Sequence, residues 1–418
     1  MGRFIIKASG PLRGKVKVSG SKNSVLPIIA ATLLTNEPCR LYDVPALTDV
    51  LLMQKLVEGF GGKALWLNED SLSITADNIT NVEASYELCS KMRASFLMAG
   101  PMLARMGEVK ISMPGGCAIG ARPVDLHLKG LAALGATIYQ EHGFIHARAD
   151  KLVGANIYLD FPSVGATENI MMAAALAKGQ TIIQNAAVEP EIVDLSNFLS
   201  SMGAEIRGTG TDNIRINGVA SLKGTEHSVI PDRIEAGTFM IAAAITKGDV
   251  ILENVVVDHL KPAIAKLGEA NIGLELLEEG VRIYGDYDRR PIDIKTLPYP
   301  GFPTDMQAQF MALLTTTTGT NIVTETVFEN RFMHVAELVR MGADIKIDSR
   351  SAIIEGIDKL TGTQVKATDL RAGAALMLAA LTAEGTTEIH DIHHVDRGYY
   401  RFDEKLRALG ADIVRAHD

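Results

Sequence analysis

The chain is poor in cysteine and aromatic side chains: three cysteines, one tryptophan and 5% aromatic residues in 418 positions. The cysteine count is odd, and Cys39, Cys89 and Cys117 lack metal-type spacing, so neither a disulfide framework nor a metal site is expected. Such sparing use of cysteine fits a reducing, cytoplasmic location. No apolar run reaches the ~18 residues that a membrane span requires. The opening MGRFIIKASG also lacks the apolar stretch of a signal peptide. Positive charge is short as well: 41 Lys and Arg against 50 Asp and Glu give a net charge of −9. That argues against general nucleic-acid binding, though a small local basic site stays compatible with it. The 38 glycines have no three-residue period, which excludes collagen, and 47% hydrophobic residues with 22% charged ones exclude disorder. At ~100–200 residues per domain, two to four domains are expected.

What the chain does contain is a repeat. A helix of small and apolar residues, a β-branched run, a second helix, a glycine and further β-like runs recur. The glycine markers are Gly61, Gly135, Gly203, Gly268, Gly342 and Gly410, spaced 74, 68, 65, 74 and 68 residues apart. Markers one and four, two and five, and three and six are each 207 residues apart. Six units with that superperiod predict two similar domains of three units each. The first helices, such as ENIMMAAALA and AGAALMLAALTA, are apolar or small nearly all round and so are expected to be buried. The second helices, such as PEIVDLSNFLSSMG, carry a polar face and are expected outside. The runs TIIQNAA, DVILENVVV and TNIVTETV are strand formers, and NIRING and GVRIYG read as hairpin strands.

Polar residues gather where the buried helices begin: Lys22 and Asn23, Arg93, Ser163 to Glu168, Asp232 to Glu235, Thr304 and Asp305, and Asp369 with Arg371. A helix N-terminus exposes unpaired N–H groups and about half a positive charge. Parallel inner helices aimed at one face would therefore attract anions. Asp and Asn there equally fit ordinary caps and ion pairs. Lys22, Arg93 and Arg371 oppose the helix dipole, and an anionic ligand would explain them.

The segment Met113-Pro-Gly-Gly-Cys117-Ala-Ile-Gly-Ala-Arg122-Pro123 reads as a mobile glycine-rich loop leading into a helix. A thiol near a helix start and close to Arg122 is in a setting that lowers its pKa below ~8.5. Cys39 and Cys89 read as small buried residues.

At these residues the chain resembles the UDP-N-acetylglucosamine enolpyruvyl transferases, the 1-carboxyvinyltransferase family of bacterial peptidoglycan synthesis. The resemblance rests on GSKNSVLPI at 20–28, MRAS at 92–95, PGGCAIGARPVDLH at 114–127, SVGATENIMMAA at 163–174, FPTDMQAQ at 302–309, ENRFMHVAEL at 329–338, DLRAGAAL at 369–376 and HVDRGY at 394–399. It implies an α/β fold of two inside-out α/β barrels, each of three βαβαββ units. Residues 1–21 with 230–418 would form one domain and 22–229 the other, hinged at two chain crossings near Ser19–Ser21 and Val229–Pro231. It also implies domain closure on substrate binding, with the Cys117 loop folding over the cleft.

The implied reaction moves enolpyruvyl from phosphoenolpyruvate to the 3′-hydroxyl of UDP-N-acetylglucosamine and releases phosphate through a tetrahedral intermediate. Neither cofactor nor metal is implied, and no nucleic-acid or membrane partner. Cys117 matches the general acid, which can also form a covalent adduct, and Asp305 matches the carboxylate beside the sugar hydroxyl. Lys22 and Arg397 match catalytic cations. Phosphoenolpyruvate contacts match Lys22, Asn23, Arg122, Arg397, Asp369 and Arg371. Sugar-nucleotide contacts match Asn23, Arg93, Arg122, Pro123, Val124, Asp125, Leu126, Ser163, Val164, Gly165, Asp305 and Val327. Asp160-Phe161-Pro162 replaces a lysine-containing stretch seen in some members, so uridine contacts there stay open. The rival acceptor, shikimate 3-phosphate, would call for a GNAGTAMR-like loop, which is missing. A non-catalytic sugar-nucleotide-binding paralogue would be expected to lack Cys117, Lys22 or Asp305, and all three are present.

Overall fold

The computed structural model describes residues 2–113, 124–285 and 288–417. These divide into two compact units. One holds residues 2–19 and 231–417, and the other holds 20–113 and 124–230.

In the second of these units six longer helices alternate along the chain, besides the one-turn helix Tyr86–Cys89: α1 (Lys22–Ala31), α2 (Thr48–Gly59), α3 (Ala99–Met106), α4 (Asp125–Ala133), α5 (Val164–Ala174) and α6 (Pro190–Ser201). The other unit repeats the scheme with α7 (Arg233–Ile245), α8 (Val257–Glu269), α9 (Gln307–Leu314), α10 (Val335–Arg340), α11 (Leu370–Ala380) and α12 (Phe402–Ala408). Odd-numbered helices are the inner ones. Residues Ala166–Ala174 of α5, Arg371–Ala380 of α11 and all of α9 are buried without a break, as their all-round apolar character predicts. Within each unit the three inner helices pack on one another. Small residues set the approach: a Cβ added at Gly100 of α3 would stand 2.3 Å from the Asn169 carbonyl oxygen of α5.

Sheets surround each trio of helices. In five of the six sheets a short strand runs parallel to the strand that follows an inner helix, and two antiparallel strands complete the four. Strand Asn156–Tyr158, for example, lies parallel to Gln180–Gln184, which pairs antiparallel with Asn213–Asn217 and then Glu205–Arg207. Ile214 and Ile216 face the core from there and Arg215 faces out, the period-two alternation of a one-sided sheet. The sixth sheet has three strands, and a parallel bridge from Glu83 to Lys110 stands where its fourth would be. Strand Arg3–Lys7 sits between Thr386–His390 and Ile413–Ala416, while Arg13–Lys17 lies parallel to Asp249–Glu253. No helix among the described residues is long and apolar enough to cross a membrane.

Two sequence expectations need correction. The marker glycine after each outer helix takes a positive φ at Gly61, Gly135, Gly203, Gly342 and Gly410, where the chain turns left-handed into the next strand. Gly268 does not. It lies inside α8, and Asn271 makes the turn instead at φ 63°. Asn is the non-glycine residue that best tolerates this region. The structural offset in that pair of repeats is therefore three residues longer than the marker arithmetic.

The second correction concerns α6. Only part of its polar surface is outside: Asn197, Ser200 and Ser201 are exposed, whereas Glu191, Asp194 and Ser196 are buried. Asp194 accepts hydrogen bonds from Ser24 Oγ of α1 and from the Ile230 N–H at 3.3 Å, and it pairs with His227 Nε2 at 2.8 Å. The carboxylate thereby ties the segment 227–230 to an inner helix.

Candidate active site

In the unit of residues 231–417 the three inner helices each begin with a carboxylate. Asp232 caps α7, accepting from the Ile234 and Glu235 N–H groups at 2.8 and 3.0 Å. Asp369 caps α11 in the same way, accepting from Arg371 and Ala372 at 2.8 and 3.0 Å. Asp305 lies in the single 3-10 turn Thr304–Met306 that leads into α9. Of the two readings open for these Asp residues, the cap is the one seen: two N–H groups of α7 and two of α11 are taken by Asp232 and Asp369.

Asp305 is one-quarter exposed and is clamped by two arginines. Arg331 Nη2 donates to Oδ1 at 2.8 Å and Arg371 Nη2 donates to Oδ2 at 3.2 Å. Both guanidinium groups are almost wholly buried. Burial alone would pull the Arg371 guanidinium down, but Tyr399, Asp305 and Asp232 push it above its ordinary value. Its carbon lies 5.3 Å from the centre of the Tyr399 ring. The Tyr399 hydroxyl meets Thr238 Oγ1 of α7 at 3.0 Å and Gln309 Nε2 of α9 at 3.1 Å, and Gln309 also donates to the Asp305 carbonyl at 2.8 Å. Tyr399 thus touches all three inner helices near their starts. Arg397, two residues earlier, follows the one-turn helix His393–Asp396 and is half-buried. Burial, His393 and Arg397 together hold His394 below its usual value. His334 is fully buried and lowered to about 4, chiefly by burial and further by Arg331, with Asp369 opposing.

Val327 sits in the turn after strand Thr320–Thr324, and its N–H donates to Glu325 Oε1 at 2.8 Å. A surface recess of about 660 Å³ on this unit, lined among others by Lys261, Ile294, Pro300 and Phe302, touches none of these residues.

In the unit of residues 20–230, Lys22 is the first residue of α1, whose N-cap Ser21 makes no side-chain capping bond. Lys22 Nζ reaches Asp49 Oδ2 of α2 at 3.2 Å, both side chains being largely buried. The cation that opposes the α1 dipole therefore has a carboxylate partner, as Arg371 does, and the ion-pair reading of these two residues holds alongside the anion-site reading. Asn23 follows, half-buried. Arg93 opens the 3-10 segment Arg93–Met98 that runs into α3. Its charge adds to burial in lowering His127 to about 3.

Ser163 caps α5, its hydroxyl accepting from the Ala166 N–H at 3.3 Å, and Val164 and Gly165 form the first turn. A Cβ on Gly165 would lie 3.1 Å from His127 Cε1. The His127 ring packs edge-on against Phe96, and its Nδ1 accepts from Asn169 Nδ2 at 3.1 Å. Val124 is buried, while Asp125 and Leu126 begin α4 with Asp125 exposed. Asp160, in the departing stretch, is taken up by Lys129 Nζ at 2.7 Å. Cys117, Arg122 and Pro123 lie outside the described residues. Among the described residues no group of three or more His, Cys, Asp or Glu is arranged to hold a metal ion.

Four further residues were given no role in the sequence reading, three of them inside its motifs. Arg331 and His334 lie in ENRFMHVAEL and Tyr399 in HVDRGY, whereas Glu325 lies just outside any motif. Their signal was position within or beside a recognised block, but the long-range contacts that matter come from residues 21 to 161 positions away.

A family model described as EPSP synthase (3-phosphoshikimate 1-carboxyvinyltransferase) matches residues 6–406. The chain is 63% identical over 413 residues to UDP-N-acetylglucosamine 1-carboxyvinyltransferase 1 of Caldanaerobacter subterraneus subsp. tengcongensis, covering 99% of each chain. It is 60% identical over the whole of both chains to UDP-N-acetylglucosamine 1-carboxyvinyltransferase 2 of Carboxydothermus hydrogenoformans. In structure it resembles the enolpyruvyl transferase NikO of Streptomyces tendae, with a TM-score of 0.90, 23% identity and 99% of each chain covered. It also resembles an EPSP synthase of Acinetobacter baumannii, with a TM-score of 0.78 and 19% identity over the full length of both. These two structures establish a shared fold.

Proposed function

The chain belongs to the UDP-N-acetylglucosamine 1-carboxyvinyltransferase family, and from that premise we propose that it transfers enolpyruvyl from phosphoenolpyruvate to the 3′-hydroxyl of UDP-N-acetylglucosamine, releasing phosphate. The observation that carries the choice of acceptor is identity of 60% and more along the whole chain to relatives of that name. The likeness to an EPSP synthase structure stands at 19% and speaks for fold alone.

In the proposed addition, the Cys117 thiol gives a proton to the methylene carbon of phosphoenolpyruvate as the sugar oxygen bonds to its neighbouring carbon. Asp305 takes or orients the hydroxyl proton. Elimination then removes a proton from the former methylene carbon and expels phosphate. Fixed cations suit the charge on phosphate and carboxylate, and this is the role proposed for Lys22, Arg122 and Arg397. The clamp of Arg331 and Arg371 on Asp305 supports that reading, because two charge-assisted bonds fix the carboxylate's orientation. Asp369, as the cap of α11, holds the start of the helix that carries Arg371.

The proposed roles fall on both compact units, which supports reading 1–21 with 230–418 and 22–229 as the two domains. Free, buried Cys39 and Cys89 support a reducing cytoplasm.

The test is phosphate release from phosphoenolpyruvate with UDP-N-acetylglucosamine or shikimate 3-phosphate as acceptor, for the natural chain and Cys117→Ala. Release with the sugar nucleotide alone, lost in the variant, is the expected result. Release with shikimate 3-phosphate instead would overturn the acceptor, and no release with either from folded protein would favour a non-catalytic binding protein.

A further inference from the structure

Glu325 is a buried carboxylate, 1% exposed, whose hydrogen-bond partners are all neutral. It stands one residue beyond strand Thr320–Thr324, beside Thr296 at the end of the parallel strand Asp293–Lys295. Its Oε1 accepts from Thr296 Oγ1 at 2.8 Å and from the N–H groups of Val327 at 2.8 Å and Phe328 at 3.1 Å. Its Oε2 accepts from Thr304 Oγ1 at 2.8 Å. Three donors thus converge on Oε1 and one on Oε2, so that a single carboxylate gathers four hydrogen bonds. The hydroxyl of Thr296 also accepts from the Thr326 N–H at 2.9 Å, so the whole turn 326–328 hangs on this one cluster.

Two of the segments so joined carry residues to which the reading above gives acceptor contacts. Thr304 adjoins Asp305, and Val327 is held directly. We infer that Glu325 is a positioning residue for the acceptor, setting the turn at Val327 and the 3-10 turn of Asp305 in one register without touching substrate itself. A neutral apolar side chain of the same size would leave four donors, one buried and three partly buried, without their acceptor, and a shorter carboxylate could not span both segments. Its side chain does for two loops what a shared strand would do, and its effect should therefore fall on acceptor geometry more than on the donor. The inference rests on the proposed acceptor.

Steady-state kinetics with phosphoenolpyruvate and UDP-N-acetylglucosamine test it, on the full chain, with melting temperature recorded for each variant. Glu325→Ala should raise KM for the sugar nucleotide about tenfold or more and lower kcat, leaving KM for phosphoenolpyruvate within about twofold. Glu325→Gln keeps an oxygen for Thr296, Val327 and Phe328, and Thr304 can turn its hydroxyl to accept from the amide. This variant should restore both constants to within about threefold of the natural chain. Should Glu325→Ala fail to fold, Thr304→Val removes only the bond to the Asp305 turn. It should cut kcat about tenfold with little change in either KM.

Equal rises in the two KM values, or Gln no better than Ala, would overturn the inference, as would a Thr304→Val enzyme with unchanged kcat. A natural chain inactive with UDP-N-acetylglucosamine would overturn the functional reading first and this inference with it. Normal activity in the natural chain with an unaffected Glu325→Ala would overturn this inference alone.

Discussion

Arg371 donates from Nη2 to Oδ2 of Asp305 at 3.2 Å across 66 positions of sequence, and its guanidinium is otherwise shut away from water. An acceptor oxygen at Asp305 is thus needed twice, by the proposed chemistry and by a buried cation.

Asp305→Asn separates the two needs. The amide oxygen can still accept from one arginine, yet it cannot take a proton, so kcat should fall by roughly 10²–10⁴ with the fold intact. Asp305→Ala should show the same loss of rate and also lose roughly 2 kcal/mol of stability, because Arg331 and Arg371 are left without their anion. Kinetics beside urea unfolding would separate them. A fully active Asn variant would remove Asp305 from the proton transfer.

Buried histidines set one acid limb of stability. His127, held at about 3 by burial and Arg93, is neutral in the folded chain throughout pH 5–7. In the unfolded chain it takes up a proton below about 6.5, so the folded state loses about 2 kcal/mol between pH 7 and pH 5 on its account. His334 acts in the same direction. Glu168, raised by burial and by Glu191 and Glu189, acts against them, because it stays protonated where the unfolded chain ionises; Glu235, raised by burial, does likewise. These contributions oppose one another, so the informative quantity is a difference. His127→Gln, which keeps an acceptor for Asn169, should gain about 2 kcal/mol relative to the natural chain on going from pH 7 to pH 5. Parallel urea curves at the two pH values would show it, and an unchanged difference would mean that His127 titrates normally.

Gly100 of α3 faces the backbone of α5. Alanine has the better helix propensity by about 1 kcal/mol, but its Cβ would stand 2.3 Å from a carbonyl oxygen, and backbone cannot swing aside as a side chain can. The clash should win, so that Gly100→Ala lowers stability by about 1–3 kcal/mol net. Differential scanning calorimetry would read this as a lower melting temperature, and a rise would show that the inner helices can slide apart cheaply.

Burial pushes the Cys39 thiol up to about 11 and the Cys89 thiol above its usual value. Neither should react, so fosfomycin, an epoxide that the family resemblance leads us to expect will alkylate the loop thiol, should add one adduct only, and at Cys117. Intact mass after incubation with excess fosfomycin and sugar nucleotide would show one adduct in the natural chain and none in Cys117→Ala. An unchanged mass in the natural chain would count against Cys117 as the reactive thiol.

Much of the architecture was legible because burial in the inner helices leaves no polar face: SVGATENIMMAA and DLRAGAAL announce burial in composition alone. The buried polar side of the outer helix α6 escaped the sequence reading for the complementary reason. Asp194 looks like a solvated residue until Ser24, His227 and Ile230 converge on it from elsewhere in the chain. Asp305 and Arg371 were legible as motif residues, whereas Arg331, Tyr399 and Glu325 acquire meaning only through tertiary contacts. Asn271 shows the limit of marker counting, since the physical requirement was a left-handed turn and glycine was only its commonest carrier.

The strand Arg3–Lys7 has both its sheet partners at the far end of the chain, in Thr386–His390 and Ile413–Ala416. A ribosome makes it well before either neighbour. At ~5–20 residues per second, that strand waits roughly twenty to eighty seconds for a place in a sheet. Residues 20–230, whose closing strand Glu226–Ser228 is made at mid-chain, have every sheet partner long before. Translation thus delivers one unit ready to fold, while the other stays open until Ile413–Ala416 has been made.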